Sequence, residues 1–162
     1  MERLWAPWRV EYITTPQKAD SPCFLCIDGI EEEKALIVAK LKKAFVIMNR
    51  YPYSSGHVMI APIRHVGLIE DLTEEEALEI LRLLKIASTI FKEDFKAQGL
   101  NIGLNIGRAA GAGLEDHIHV HVVPRWFGDT NFMPVIAETK VISEHLYSTY
   151  EKLRARFSEK LK

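Results

Sequence analysis

Three of the chain's six histidines fall within five positions, at His117, His119 and His121. In an extended strand, residues two apart point to the same face, about 6.6–7 Å from one another. The spacing therefore predicts three imidazoles on one face, with Ile118, Val120 and Val122 on the other as anchors. A solvated face would more readily carry Thr, Lys or Glu than a row of a scarce side chain. Two chemistries then compete. Neutral imidazole is the commonest metal ligand, so the row could hold a catalytic zinc. Alternatively, one ring nitrogen attacks phosphorus while its neighbours orient it and hold the phosphate oxygens.

The preceding loop favours phosphate. Gly107, Gly111 and Gly113 let backbone N–H groups approach an anion closely, and Arg108 adds a positive charge. The loop is not a P-loop, because G-x-x-x-x-G-K-[ST] is absent. The chain's two cysteines, Cys23 and Cys26, form a C-x-x-C pair. In a reducing compartment such a pair points to metal or redox use rather than to a structural disulfide. A thioredoxin-like site would open a helix after a strand, which Ser21-Pro22 does not predict.

These groups need elements to hold them. Leu36–Ala39 and Ala44–Met48 are short apolar runs on either side of Lys40-Leu41-Lys42-Lys43, and read as a hairpin. Asn49 to Gly56 is a loop by its Pro, Ser and Gly content, and His57–Ala61 is a further strand stopped by Pro62. Thr73-Glu74-Glu75-Glu76 reads as a capping box. Behind it Ala77, Leu81, Leu84, Ala87, Phe91 and Phe95 recur at helical spacing, with Gly99 as the C-terminal stop. Asn101–Ile106 reads as a strand with Ile102, Leu104 and Ile106 on one face. Gly128-Asp129-Thr130-Asn131 is a turn, and about 141–160 form a second helix that carries His145 on its solvated surface. The expected fold class is α+β: an antiparallel sheet with one long amphipathic helix and a C-terminal helix.

At 162 residues the chain is one domain, with 1–22 as an aromatic arm, about 23–126 as the core and about 127–162 as a C-terminal extension. The arm's Trp5, Trp8 and Tyr12 would dock on the main body or on a second subunit. A formal net charge of −1 gives no global attraction to a nucleic-acid backbone or an anionic membrane, so phosphate recognition must be local. Met1–Trp8 lacks the apolar core of a signal peptide, and no apolar run approaches the ~20 residues that span a bilayer. The expectation is a cytoplasmic protein with neither nucleic-acid nor membrane partners.

The run His117-Ile118-His119-Val120-His121-Val122-Val123 resembles the signature of the histidine-triad (HIT) family, His-φ-His-φ-His-φ-φ with φ apolar. The resemblance extends from about Cys23 to Trp126. Trp5-Ala6-Pro7-Trp8-Arg9, Asn49-Arg50-Tyr51-Pro52-Tyr53, Asn101-Ile102-Gly103-Leu104-Asn105 and Pro124-Arg125-Trp126 look like its diadenosine-polyphosphate phosphorylase/hydrolase-like branch. The resemblance implies a HIT-like fold. It also implies an enzyme, a nucleotide hydrolase or adenylyltransferase, that cleaves nucleotide phosphoanhydrides through a covalent nucleotidyl-histidine. His119 would be the nucleophile and His121 the donor to the non-bridging oxygens. Asn49 would lie at the ribose and Asn105 near the phosphates, with Gly111, Gly113 and His121 completing the substrate-binding set. Water as acceptor gives hydrolysis; inorganic phosphate gives phosphorolysis. His57 either orients the triad or is a satisfied core histidine.

The same resemblance implies a structural zinc on Cys23, Cys26, His65 and His117, no organic cofactor, and a homodimer to which the arm and Trp126-Phe127 contribute. One departure stands out. Many relatives carry Gln or Ser between the glycine loop and the triad, whereas Ala112-Gly113-Leu114 offers no side-chain hydroxyl or amide to a leaving group. Only backbone groups, Glu115 and Asp116 remain for it. Two other classes stay open: a nucleotide-binding or sensing module with little turnover, and a zinc-dependent hydrolase with the triad as metal ligands.

Overall fold

The computed structural model describes residues 23–130, 142 and 144–162. The arm expected at 1–22 lies outside the described residues, as do Asn131 of the expected turn and positions 141 and 143. The elements are α1 (Glu32–Ala35), β1 (Ile37–Lys40), β2 (Ala44–Met48), β3 (Val58–Pro62), a 3-10 turn at Ile69–Asp71, α2 (Glu74–Glu93), β4 (Gly99–Leu104), a 3-10 turn at Arg108–Ala110, β5 (Val120–Arg125) and α3 (Leu146–Lys160). The strands form one sheet in the order β1-β2-β3-β5-β4. Every neighbouring pair is antiparallel. The α+β expectation therefore holds, and no described helix is long and apolar enough to cross a membrane.

Alternation along the strands divides the core in two. Val46, Met48, Val58, Ile60, Val120 and Val122 face α2 and α3. Phe45, Ile47, Met59 and Ala61 face the other way, under Leu25 and Ile27 of the segment that begins at the cysteine pair. With both faces covered, β2 and β3 are buried at every position and read as continuous apolar runs.

The capping box forms as expected: Thr73 Oγ1 accepts the Glu76 N–H, and Glu76 returns the bond to the Thr73 N–H. The inward stripe of α2 differs from expectation. It runs through Ile80, Leu83, Ala87, Ile90 and Phe91, while Leu81 is 54% exposed and Ala77 faces solvent. Apolar residues occupy more than one face of this helix, and packing on the sheet selects the stripe. Each of Leu83, Ile90 and Phe91 contributes ~1.5–3 kcal/mol by burial. The helix also ends at Glu93, well before Gly99. Lys96 takes the left-handed conformation (φ 55°) that glycine was expected to supply, and the Ala97 N–H closes on the Phe91 carbonyl at 2.8 Å. Gly99 instead opens β4 opposite Arg125. His145 is not within α3 but at its N-cap, exposed and stacked on Tyr147.

Candidate active site and metal centre

Only His121 lies within a strand, because β5 begins at Val120. Pairing with β3 stops at Ile60↔Val120, and the Ile118 N–H turns to the Val66 carbonyl at 2.7 Å. His117 and His119 lie in the lead-in to the strand. Each of the three rings has a different partner.

His117 is fully buried. Its Nε2–H donates to the Pro62 carbonyl at 2.8 Å, while Nδ1 faces Cys23 Sγ at 3.3 Å and Cys26 Sγ at 3.9 Å. His119 is 7% exposed, and its Nδ1–H donates to the His117 carbonyl at 2.8 Å. That assignment leaves the Nε2 of a neutral ring with a lone pair.

His121 Nδ1 lies 2.9 Å from His57 Nε2. The direction of this bond follows from the far side of His57, where Nδ1 accepts the Tyr53 backbone N–H at 3.1 Å. A neutral His57 must then carry its proton on Nε2 and donate it to His121 Nδ1. His121 in turn carries its own proton on Nε2. The Tyr53 ring covers this pair, 4.7 Å from His57 and 6.1 Å from His121. Burial lowers the pKa of His119, opposed by its bond to the His117 carbonyl. Burial, aided by repulsion from a charged His119, brings His121 down to about 4. Both rings are therefore neutral at pH 7, with a lone pair on His119 Nε2 beside a donor on His121 Nε2.

A second cluster adjoins the first. One donor atom from each of Cys23, Cys26, His65 and His117 lies within 4.8 Å of all the others. Cys26 Sγ is 3.2 Å from His65 Nδ1. The cysteines share a tight turn in which the Cys26 N–H meets the Cys23 carbonyl. Two thiols and two imidazoles are donor types that suit a tetrahedral metal site, and the bond from His117 Nε2 to Pro62 is an outer contact of the kind that fixes such a ligand's tautomer. In the protein without metal, burial pushes the Cys26 thiol up to about 11, with Cys23 adding to the effect.

A family model described as HIT domain matches residues 31–128. The chain belongs to the HIT family. It is 38% identical to an AP-4-A phosphorylase of Mycobacterium tuberculosis, over 98% of this chain and 85% of that one. A Bis(5'-adenosyl)-triphosphatase of Dictyostelium discoideum is 33% identical over 51% of this chain and 54% of its own length. Among solved structures, a hypothetical histidine triad nucleotide-binding protein of Sulfolobus tokodaii superposes with a TM-score of 0.63 at 29% identity, over 85% of this chain and 90% of that one. A Zn-bound histidine triad family protein of Mycobacterium smegmatis gives a TM-score of 0.66 at 24% identity, over 85% and 94%. That likeness shows the shared fold.

The remaining candidates of this HIT chain fall around the same histidines. Leu104↔Val120 closes the β4–β5 ladder, and one residue beyond it on each strand come Asn105 and His119. Asn105 is partly buried there and makes no hydrogen bond among the described residues. Gly103, opposite His121, keeps that position open: a Cβ built on it meets nothing within 4 Å. Asn49 follows β2, and its Oδ1 accepts the Tyr51 N–H at 2.8 Å as an Asx turn. Its amide nitrogen reaches Met59 Sδ at 3.7 Å, beside His57.

Gly107 and Gly111 both adopt positive φ and frame the 3-10 turn of the glycine loop, and Gly113 follows in the same loop. Arg108 does not aim its charge at the histidines. It is 91% exposed and paired with Glu115. Leu114 packs against the Phe45 cluster, so its side chain is taken up by the core. Two groups that fix these rings had no sequence signal at all: the carbonyl of Pro62, on His117, and the backbone N–H of Tyr53, on His57. His57 had one, its place after Gly56, and the geometry now gives it a task.

Proposed function

We propose that this HIT protein cleaves phosphoanhydride bonds of dinucleoside polyphosphates, diadenosine polyphosphates foremost, with His119 as nucleophile. The observation that carries the reading is the tautomer of His119: Nδ1–H is bound to the His117 carbonyl, and Nε2 is available for attack. Similarity to an AP-4-A phosphorylase over nearly the whole chain supports the substrate class.

In the first step His119 Nε2 bonds to the α-phosphorus, and the bond from that phosphorus to the bridging oxygen breaks. The nucleoside polyphosphate departs, and a nucleotidyl-His119 remains. His121 Nε2–H stabilises the charge that builds on the non-bridging oxygens. In the second step water or inorganic phosphate attacks the same phosphorus and the P–N bond breaks, restoring the imidazole. The reading is favoured over a catalytic metal held by all three rings because His117 turns to the cysteines and Pro62, away from His119 Nε2 and His121 Nε2.

Cys23, Cys26, His65 and His117 would hold a zinc ion, which supplies cross-linking rather than chemistry. It would join the cysteine turn, the loop after β3 and the lead-in to β5. A second copy of the chain would pair along β4. That strand is at the sheet edge, with Ile102 and Leu104 at 50% and 39% exposure and Ile106 just beyond its end at 41%.

Incubation with diadenosine tetraphosphate, with and without phosphate, tests the activity. ADP formed only with phosphate identifies phosphorolysis, and AMP plus ATP identifies asymmetric hydrolysis. His119→Ala should lose ~10⁴-fold or more in turnover, and a trapped adenylyl group should map to His119 by mass spectrometry. Full activity in His119→Ala would remove the nucleophile assignment. Tight binding by the wild type without turnover would favour a sensing module.

A further inference from the structure

His65 is the exposed member of the metal set, on a loop without regular structure. Its ring lies 3.2 Å from Cys26 Sγ and edge-on to His117, 5.2 Å away. A ligand free to swing lowers metal affinity by the fraction of time it spends elsewhere. Three ties restrain this loop. The Pro62 carbonyl holds His117 Nε2–H, and the Val66 carbonyl holds the Ile118 N–H, so the backbone on either side of His65 is fastened to the strand lead-in.

The third tie runs the other way, to α2. Arg64, the neighbour of His65, donates from Nε and Nη2 to the two carboxylate oxygens of Glu76 at 2.9 and 2.8 Å. Its Nη2 also donates to the Asp71 carbonyl at 2.7 Å. Glu76 is 3% exposed and is already engaged as the capping-box residue of α2. Helix capping requires one bond from that carboxylate, to the N-cap N–H. It does not require burial of the group or a two-pronged grip on the residue beside a metal ligand. The pair also neutralises a guanidinium that would otherwise stand unbalanced one residue from a dication.

We infer that Arg64 and Glu76 are positioning residues of the metal centre: they fasten the His65 loop to the N-terminus of α2 and so hold His65 at ligand distance from Cys26 and His117. This rests on the zinc reading above. The whole chain, stripped of metal and titrated with Zn²⁺ against a chromophoric chelator, tests it, with Co²⁺ visible spectra reporting the ligand set.

Glu76→Gln is the informative variant, because glutamine also completes a capping box and the helix start is kept while the charged pair is lost. Arg64→Lys keeps the charge and loses the planar fork. Both should weaken Zn²⁺ binding ~10–100-fold. Both should move the Co²⁺ bands toward those of His65→Ala. Leu153→Ala, a core change in α3, should lower stability yet keep wild-type affinity. Wild-type affinity and spectrum in Glu76→Gln, or equal weakening in Leu153→Ala, would overturn the positioning role. Failure of the wild type itself to bind Zn²⁺ would bring down the metal assignment and this inference with it. The wild-type titration alone tells these two failures apart.

Discussion

His57 Nε2 stands 2.9 Å from His121 Nδ1, and its proton determines that His121 carries its own hydrogen on Nε2. With the Tyr53 N–H on His57 Nδ1, the only consistent neutral arrangement puts a donor on His121 Nε2. Replacing His57 by phenylalanine fills the space and removes the proton. His121 is then free to carry its proton on Nδ1, presenting a lone pair to an anionic oxygen. The expected loss in kcat is ~10²–10⁴-fold, the usual worth of a positioned acid–base group, its upper end the ~10⁴-fold cost of a catalytic imidazole in the wrong tautomer. Nitrogen NMR shifts of His121 should show the change of tautomer directly. Unchanged kcat with unchanged shifts would return His57 to the role of a packed core histidine.

Removal of the metal separates a structural from a catalytic ion. The four donors would tie the cysteine turn to the loop after β3 and the lead-in to β5, which β3–β5 pairing already joins to each other, so a bound metal would add to folding free energy. Chelation should lower Tm by about 10 °C, corresponding to ~3–4 kcal/mol for a domain of this size. Initial turnover at low temperature should persist while the fold remains intact, since neither His119 Nε2 nor His121 Nε2 is a ligand. Instant, metal-reversible loss with unchanged circular dichroism would instead assign the ion a direct part in the reaction.

The sheet edge gives the third prediction. Charge at an edge strand opposes pairing with another chain, and β4 presents an isoleucine and a leucine there instead. Ile102→Lys should shift the protein from dimer to monomer in sedimentation at micromolar concentration. It should leave the monomer's core intact, because the side chain is half exposed. A wild-type protein that sediments as a monomer would remove the dimer assignment outright. Phe127, 90% exposed, is a second patch whose replacement by serine would show whether the end of β5 contributes.

These cases show which parts of the architecture can be read from residues in order. The hairpin around Lys40–Lys43, the capping box at Thr73 and the burial of Val120 and Val122 follow from period and local chemistry, and all are present. The gathering of His65 and His117 with the cysteines came from the family pattern. No local rule brings together positions separated by 39 and 94 residues. Arg108 beside the glycines reads as a charge for phosphate, and only the fold shows that Glu115 neutralises it. The stripe on α2 was ambiguous because apolar residues lie on two of its faces, and contact with the sheet decides between them. The partner of His117 is a proline carbonyl, a group that every residue possesses and that only three-dimensional placement can single out.

The Arg64–Glu76 pair gives a pH signature with a definite sign. The bond from Arg64 holds the Glu76 carboxyl down at about 2, against burial and with help from the Thr73 N–H; its ordinary value is 4.5. The folded protein therefore binds fewer protons at this site than the unfolded chain does between those values. The contribution to stability is complete above about pH 4.5, declines as the pH falls toward 2, and is absent below both values. Glu76→Gln should cost ~1.5–3 kcal/mol at pH 7, the worth of hydrogen bonds to a charged group. Urea unfolding of metal-free wild type and variant at pH 7, 4 and 2.5 checks this. The two curves should differ most at pH 7 and approach one another at the acid end, because protonation of Glu76 in the wild type does what the substitution does. A constant offset across the three pH values would mean that the carboxylate's charge contributes nothing and that the variant's deficit comes from packing alone.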